Sequence, residues 1–283
     1  MGKKSLKEEL QSARRNGYAV GAFNIFNRLS ARAVIQAASE MESPLILQTS
    51  VSTVKKYGVK DLGDMLRQLA EEAPINVLIH LDHCQSVELA KECINSGWDS
   101  VMYDGSRLPV KENIANCAEV VTYAHARGVQ VEGELGRIAG VEDEIQVEED
   151  AAVDTKLKEA VCFVQESGID AFAPAIGTAH GIYKGPVQIN YELVEELAKA
   201  IDTPIVIHGG TGLPENTFTK LILKGASKIN ISTALKHAYM DGSKEYFEKN
   251  PNKIDPLGLD QYLTDKIKAV ARECLMTFRK NMK

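Results

Sequence analysis

The chain has 283 residues, a dispersed formal charge of −6 and five cysteines without a pairing rhythm. No apolar run approaches the roughly 18–20 residues of a membrane-spanning helix, and no basic stripe marks a nucleic-acid surface. The start, Met1 to Leu6, is charged where a secretion signal would be apolar, so a cytoplasmic protein binding neither membrane nor nucleic acid is expected.

Short β-rich runs alternate with longer amphipathic stretches, the pattern of βα units on a parallel sheet. In chain order the runs are Tyr18–Ile25, Pro44–Ser50, Ile75–His83, Ser100–Ser106, Val129–Gly136, Ala171–Gly177, Pro204–Gly210 and Lys228–Thr233. Helical spacing fills the intervals, most clearly at Glu112–Arg127, Lys156–Gln165 and Tyr191–Ile201. Eight such strands predict a (β/α)8 TIM barrel spanning residues 1–283 as one domain. A doubly wound sheet is the alternative, but no Gly-x-Gly-x-x-Gly follows the first strand. Gly136–Val153 is acidic and lacks helical period, which predicts a long loop over the active face after strand five. Asn250–Gly258 separates two extra C-terminal helices, the second from about Asp260 to Lys280.

Active sites of such barrels lie at the carboxyl ends of the strands, where this chain places Asn24, Ser50, Asp82, His83, Asp104, Glu134, His208 and Asn230, with His180 just beyond strand six. His83, His180 and His208 come from three strand ends and together suit an open, catalytic Zn²⁺ site. His80, His125 and His237 lie away from strand ends and are given no role. Regular alternation turns Asp82 to the face opposite His83, where it could serve as a proton donor or merely cap the next helix. Asp104 and Glu134 could hold a second divalent cation or orient the histidines. Gly209–Gly210–Thr211–Gly212 follows strand seven and Asn230–Thr233 ends strand eight, the usual phosphate-binding loops of this fold, although a glycine turn alone is weak evidence. A metal beside a phosphate pocket suits aldol chemistry, which needs an electron sink. The Schiff-base solution is disfavoured because Lys228 starts strand eight on the wrong face and Lys184 sits in a loop. A non-catalytic metal- or phosphate-binding barrel is the alternative from another class.

These residues lie in segments that resemble the class II ketose-1,6-bisphosphate aldolases over essentially the whole chain. The segments are Ala22–Ile25, His80–His83, Ser100–Ser106, Glu132–Gly136, Gly177–Gly181, His208–Gly212 and Lys228–Thr233. The resemblance implies zinc on His83, His180 and His208, with Asp82 acting on the C4 hydroxyl. Asp104 and Glu134 match a second metal position. Gly181, Gly209 to Thr211, and Asn230, Ile231, Ser232 and Thr233 match the dihydroxyacetone phosphate pocket, beside a monovalent cation such as Na⁺ or K⁺. Glu142 matches a loop glutamate that moves the C3 proton. The implied substrate is a phosphorylated ketose, a tagatose or fructose 1,6-bisphosphate yielding glyceraldehyde 3-phosphate, and the implied assembly a homodimer or homotetramer. Four positions depart from the pattern. Ser232 and Ala234 lean away from the fructose type, and Leu257 replaces an Arg that grips the distal phosphate, so a ketose monophosphate or another acceptor aldehyde stays open. Leu29 replaces a frequent Glu, and nothing in the sequence explains it.

Overall fold

The computed structural model describes residues 3–142, 145–148, 152–181, 183 and 187–282, with backbone alone at 141, 142, 145 and 146. A capping box opens α1 (Leu6–Asn16), in which Glu8 N donates to Ser5 Oγ and Ser5 N donates to the Glu8 carboxylate. The chain then alternates through β1 (Val20–Asn24), α2 (Arg28–Glu40), β2 (Leu45–Ser50), α3 (Val51–Tyr57), α4 (Val59–Glu72), β3 (Val77–Cys84), α5 (Val87–Asn95), β4 (Ser100–Tyr103) and α6 (Val110–His125). It continues with β5 (Gln130–Leu135), β6 (Ala139–Glu142), β7 (Ile145–Val147), α7 (Leu157–Ser167), β8 (Ala171–Pro174), β9 (Ala179–His180), α8 (Tyr191–Ala200) and β10 (Ile205–Ile207). Last come α9 (Glu215–Leu223), β11 (Ala226–Ile231), α10 (Thr233–Lys249) and α11 (Pro256–Phe278).

Eight parallel strands close in the order β1-β11-β10-β8-β5-β4-β3-β2, so the expected barrel is present. Leu6, Leu10 and Ala13 of α1 pack with Val20, Ile46, Leu78 and Val206 from the amino ends of the strands, which makes α1 the floor of the barrel. The opposite mouth is left for polar side chains. Around the outside, contacts pass from α2 through α4, α5, α6, α7, α8 and α9 to α11, and back to α2. Of the two C-terminal helices, α11 thus takes the eighth place in the ring, while α10 packs on it from outside.

The segment after β5 differs from the expected unpatterned loop. β6 and β7 form an antiparallel hairpin, β6 also pairs in parallel with β9, and Arg137 bridges Val153 at the base. These strands are short and their third partner lies nearly forty residues along the chain, so local alternation could not reveal them. No described helix is long and apolar enough to cross a membrane.

Candidate active site

Chemistry collects at the mouth because the strands end there in polar residues that turn inward. β3 carries two of them in succession. His83 has φ +48°, and the register of β3 against β4 slips between Leu81 and Cys84. That left-handed residue breaks the alternation that predicted opposite faces for Asp82 and His83. Both point into the barrel: Asp82 accepts from Asn24 Nδ2 of β1 (2.7 Å) and Asn230 Nδ2 of β11 (3.3 Å), while His83 meets His208, just past β10. A non-glycine residue in this region of backbone space costs on the order of 1–3 kcal/mol, a strain usually found at functional positions.

His180 arrives by another route. It ends β9, paired not with the barrel but with β6, and its ring centre stands 5.0 Å from that of His83 and 6.0 Å from that of His208. The three imidazoles are buried, with one ligand atom from each within 4.8 Å of the others. His83, Asp104 and Glu134 form a second, overlapping group that meets the same condition.

The hydrogen-bond partners of these rings assign their protons, since an ionised carboxylate can only accept. His83 Nδ1–H donates to Asp104 Oδ2 (2.9 Å), and His208 Nε2–H donates to Glu132 Oε1 (2.9 Å). The other nitrogens, His83 Nε2 and His208 Nδ1, then face each other at 2.8 Å. Two neutral imidazoles so arranged would bring lone pair against lone pair, so a positive charge belongs between them. One Glu134 carboxylate oxygen lies 3.8 Å from His83 Nδ1 and 3.7 Å from His208 Nδ1, is buried, and has no hydrogen-bond donor among the described residues. This donor set fits a metal cation.

The electrostatics agree. Burial depresses the basicity of His83, but Asp82, the hydrogen bond to Asp104 and the Glu134 charge outweigh it and carry the imidazole well above its ordinary pKa. Burial and the nearby Asp104 push Glu134 well above the usual carboxylate range. Burial opposes ionisation of Asp104, yet His83 and Ser106 hold it well below that range. His208 is lowered by burial and by His83. Carboxylates that raise the basicity of His83 and oppose the ionisation of Glu134 favour positive charge at this place.

The remaining expected residues fall into two groups. Gly209 leads into Gly210, whose N–H donates to Asn230 O (3.2 Å), and Thr211 Oγ1 accepts from Ala234 N (3.3 Å), so the glycine turn lies against the first turn of α10. Ser232, at the N-cap of α10, makes no side-chain cap of its own, and its buried hydroxyl has no hydrogen-bond partner among the described residues. Thr233 begins that helix, and Gly181 follows His180 directly. Ile231 is different: its side chain sits in the apolar core between barrel and helices, leaving only its backbone to the pocket. Ser50 pairs in register with Asp82, but its hydroxyl accepts from Thr53 N as the cap of α3. Glu142 lies on β6, and its side chain is outside the described residues.

Sequence reasoning overlooked a layer beneath the site. Lys228 does not face outward from the start of its strand; it is fully buried inside the barrel, 2.9 Å from Glu132 Oε2. Gln48, His80 and Glu132 are equally buried, and Gln48 Nε2 donates to Asn24 Oδ1 (2.9 Å). Each of the four lies two residues before a residue already singled out (Ser50, Asp82, Glu134, Asn230), and strand alternation puts such pairs on one face. The period of two was the signal that could have found them.

A closed barrel that gathers three imidazoles, a carboxylate and a glycine-rich turn at its carboxyl mouth has the form of a barrel enzyme whose histidines could hold a metal ion. The chain belongs to the fructose-bisphosphate aldolase class-II family, whose model matches residues 4–283, and it is therefore an aldolase, a lyase. A sulfofructosephosphate aldolase of Alkalicoccus urumqiensis is 36% identical over 246 residues, covering 87% of this chain and 86% of that protein. The YdjI aldolase of Escherichia coli K12 superposes with a TM-score of 0.86 at 30% identity, over 98% of this chain and 97% of that one. Fructose-bisphosphate aldolase of Campylobacter jejuni, at 22% identity, shares the fold, with a TM-score of 0.85 over 100% of this chain and 97% of its own.

Proposed function

We propose that the chain is a zinc-dependent aldolase that reversibly breaks the C3–C4 bond of a phosphorylated ketose, giving dihydroxyacetone phosphate and an aldehyde. The observation that carries this reading is the convergence of His83, His180 and His208 beside an Asp82 held by two amides. Zinc on those histidines would polarise the ketone carbonyl and supply the electron sink that aldol cleavage needs. Asp82 takes the C4 hydroxyl proton in cleavage and returns it in condensation. Asp104 and Glu134 orient His83 or hold a second divalent ion. The start of α10, Ser232, Gly181 and the Gly209–Thr211 turn receive the phosphate of the triose half through N–H and hydroxyl donors, with Na⁺ or K⁺ alongside. Glu142 moves the C3 proton. A Schiff-base route is disfavoured because the Lys228 ammonium is fully buried, paired with Glu132 and bonded to Asn230, while Lys184 lies outside the described residues. We read the enzyme as a cytoplasmic homodimer or homotetramer of single-domain chains, which light scattering tests.

For the acceptor half the first expectation is glyceraldehyde 3-phosphate, from tagatose or fructose 1,6-bisphosphate. A second reading, an acceptor end without phosphate, is favoured by Leu257 and by the name of the Alkalicoccus relative. Cleavage of fructose and tagatose bisphosphates, ketose monophosphates and sulfofructose phosphate, with released triose phosphate measured in each case, separates the two. Prolonged chelation is expected to abolish cleavage and Zn²⁺ to restore it. Cleavage that resists chelation and is trapped by borohydride would replace this mechanism with a Schiff base.

A further inference from the structure

Lys228 lies at a branch point. Its Nζ donates to Asn230 Oδ1 (2.9 Å) and stands 2.9 Å from Glu132 Oε2, whose other oxygen accepts from His208 Nε2. Asn230 in turn points Nδ2 at Asp82 Oδ1, 3.3 Å away. All of these side chains are buried.

The chemistry of the donors gives this chain of contacts a direction. A carboxamide offers an acceptor at one end and donors at the other, and it can be turned over wherever its partner tolerates both. Asn24, the other amide on Asp82, is held by Gln48, itself a carboxamide, so that pair could reverse together. An ammonium has donors only. With Lys228 beneath it, Asn230 must turn Oδ1 down, and its NH₂ must then face Asp82. Glu132 keeps the ammonium in place between the two branches. We propose that Lys228 is a positioning residue, which locks the Asn230 amide toward Asp82 and ties that orientation, through Glu132, to the seat of His208. This rests on the reading of Asp82 as the acid/base. Without the lock, Asn230 can present its carbonyl to the carboxylate, and Asp82 leaves the position from which it serves the substrate hydroxyl.

Removing Lys228 alone strands the Glu132 charge in the core, so the decisive variant is the charge-balanced pair Lys228→Met with Glu132→Gln, in which the introduced amide carbonyl still accepts from His208. Three readouts are taken. Zinc content and competition against a chromophoric chelator report the histidine cluster. The side-chain amide signals of Asn230, in ¹⁵N-asparagine-labelled protein and assigned by their loss in Asn230→Ala, report the lock without any substrate. Values of kcat and KM on whichever ketose phosphate the parent cleaves report its consequence. We expect zinc retained, the Asn230 amide protons exchanging faster than in the parent, and kcat lower by roughly 10- to 100-fold with KM little changed. Adding Asn230→Ala to this pair should cost little more, since the same interaction is already lost. An Asn230 amide that stays as protected as in the parent, a parent-like kcat, or losses that multiply when Asn230→Ala is added would each overturn the proposal. A parent that cleaves none of the ketose phosphates defeats the functional reading, and the amide exchange still decides the lock.

Discussion

Asp82 accepts at both oxygens from amides of β1 and β11, two and three places around the barrel from β3, a placement that fixes the carboxylate with neutral donors. Such a group is suited to trading a proton with a substrate hydroxyl, whereas the imidazoles around it are suited to a cation. Asp82→Ala is accordingly expected to retain zinc while kcat falls by about 10²–10⁴-fold, the usual worth of a general acid/base. Metal analysis beside steady-state kinetics checks this, and loss of the metal would reassign Asp82 as a ligand. At this scale the sequence identified the residues better than their directions. Asp82 and His83 were legible as a strand-end pair, but the φ of +48° at His83 depends on how β3 leaves β4, which no local pattern records. Lys228 shows the reverse case: its spacing from Asn230 was visible, yet a lysine in a barrel interior contradicts the ordinary burial preference unless its partner, Glu132, is considered with it.

Among the elements, the barrel strands were readable because alternation and turn residues repeat with each βα unit. The β6–β7 hairpin was not, since its acidic residues mask strand propensity and its pairing with β9 is non-local. That pairing matters because β9 carries His180. Gly140 lies opposite His180 in the register, with φ +104°, and a Cβ there would stand 2.8 Å from His180 N and closer still to its carbonyl oxygen. Gly140→Ala should thus push β9 off β6 and displace the imidazole, at a local cost of about 1–3 kcal/mol. Weaker zinc binding with a nearly unchanged far-UV spectrum is the expected result; parent-like zinc affinity would mean that β6 does not place His180. Glu142, two residues along the same strand, allows a separate test. Glu142→Ala should slow deuterium exchange at C3 of dihydroxyacetone phosphate far more than it weakens zinc binding, because the histidines and phosphate loops belong to other elements. Unchanged exchange would leave the segment a solvated acidic hairpin.

For the whole molecule, closure of the helix ring is the feature that couples the two chain ends. α11 buries Leu263, Ile267, Ala271, Leu275 and Phe278 along one stripe, wedged between α9 and α2. Phe278 is fully buried with its ring 5.1 Å from that of Phe218 in α9, and its carbonyl accepts from Ala19 N just before β1 begins. Leu275 fills the space over Gly21, where a Cβ would come within 3.1 Å of it. The last helix thereby secures the first strand at its amino end, while the other end of that strand presents Asn24 to Asp82. Phe278→Ala removes the largest side chain from this seam and should cost about 3–5 kcal/mol, lowering the midpoint of denaturant unfolding. Because the seam lies at the end of β1 away from the mouth, kcat measured well below the unfolding transition should stay close to that of the parent. A variant of unchanged stability but reduced kcat would contradict this division, and would mean that strain at the amino end of β1 passes along the strand to Asn24.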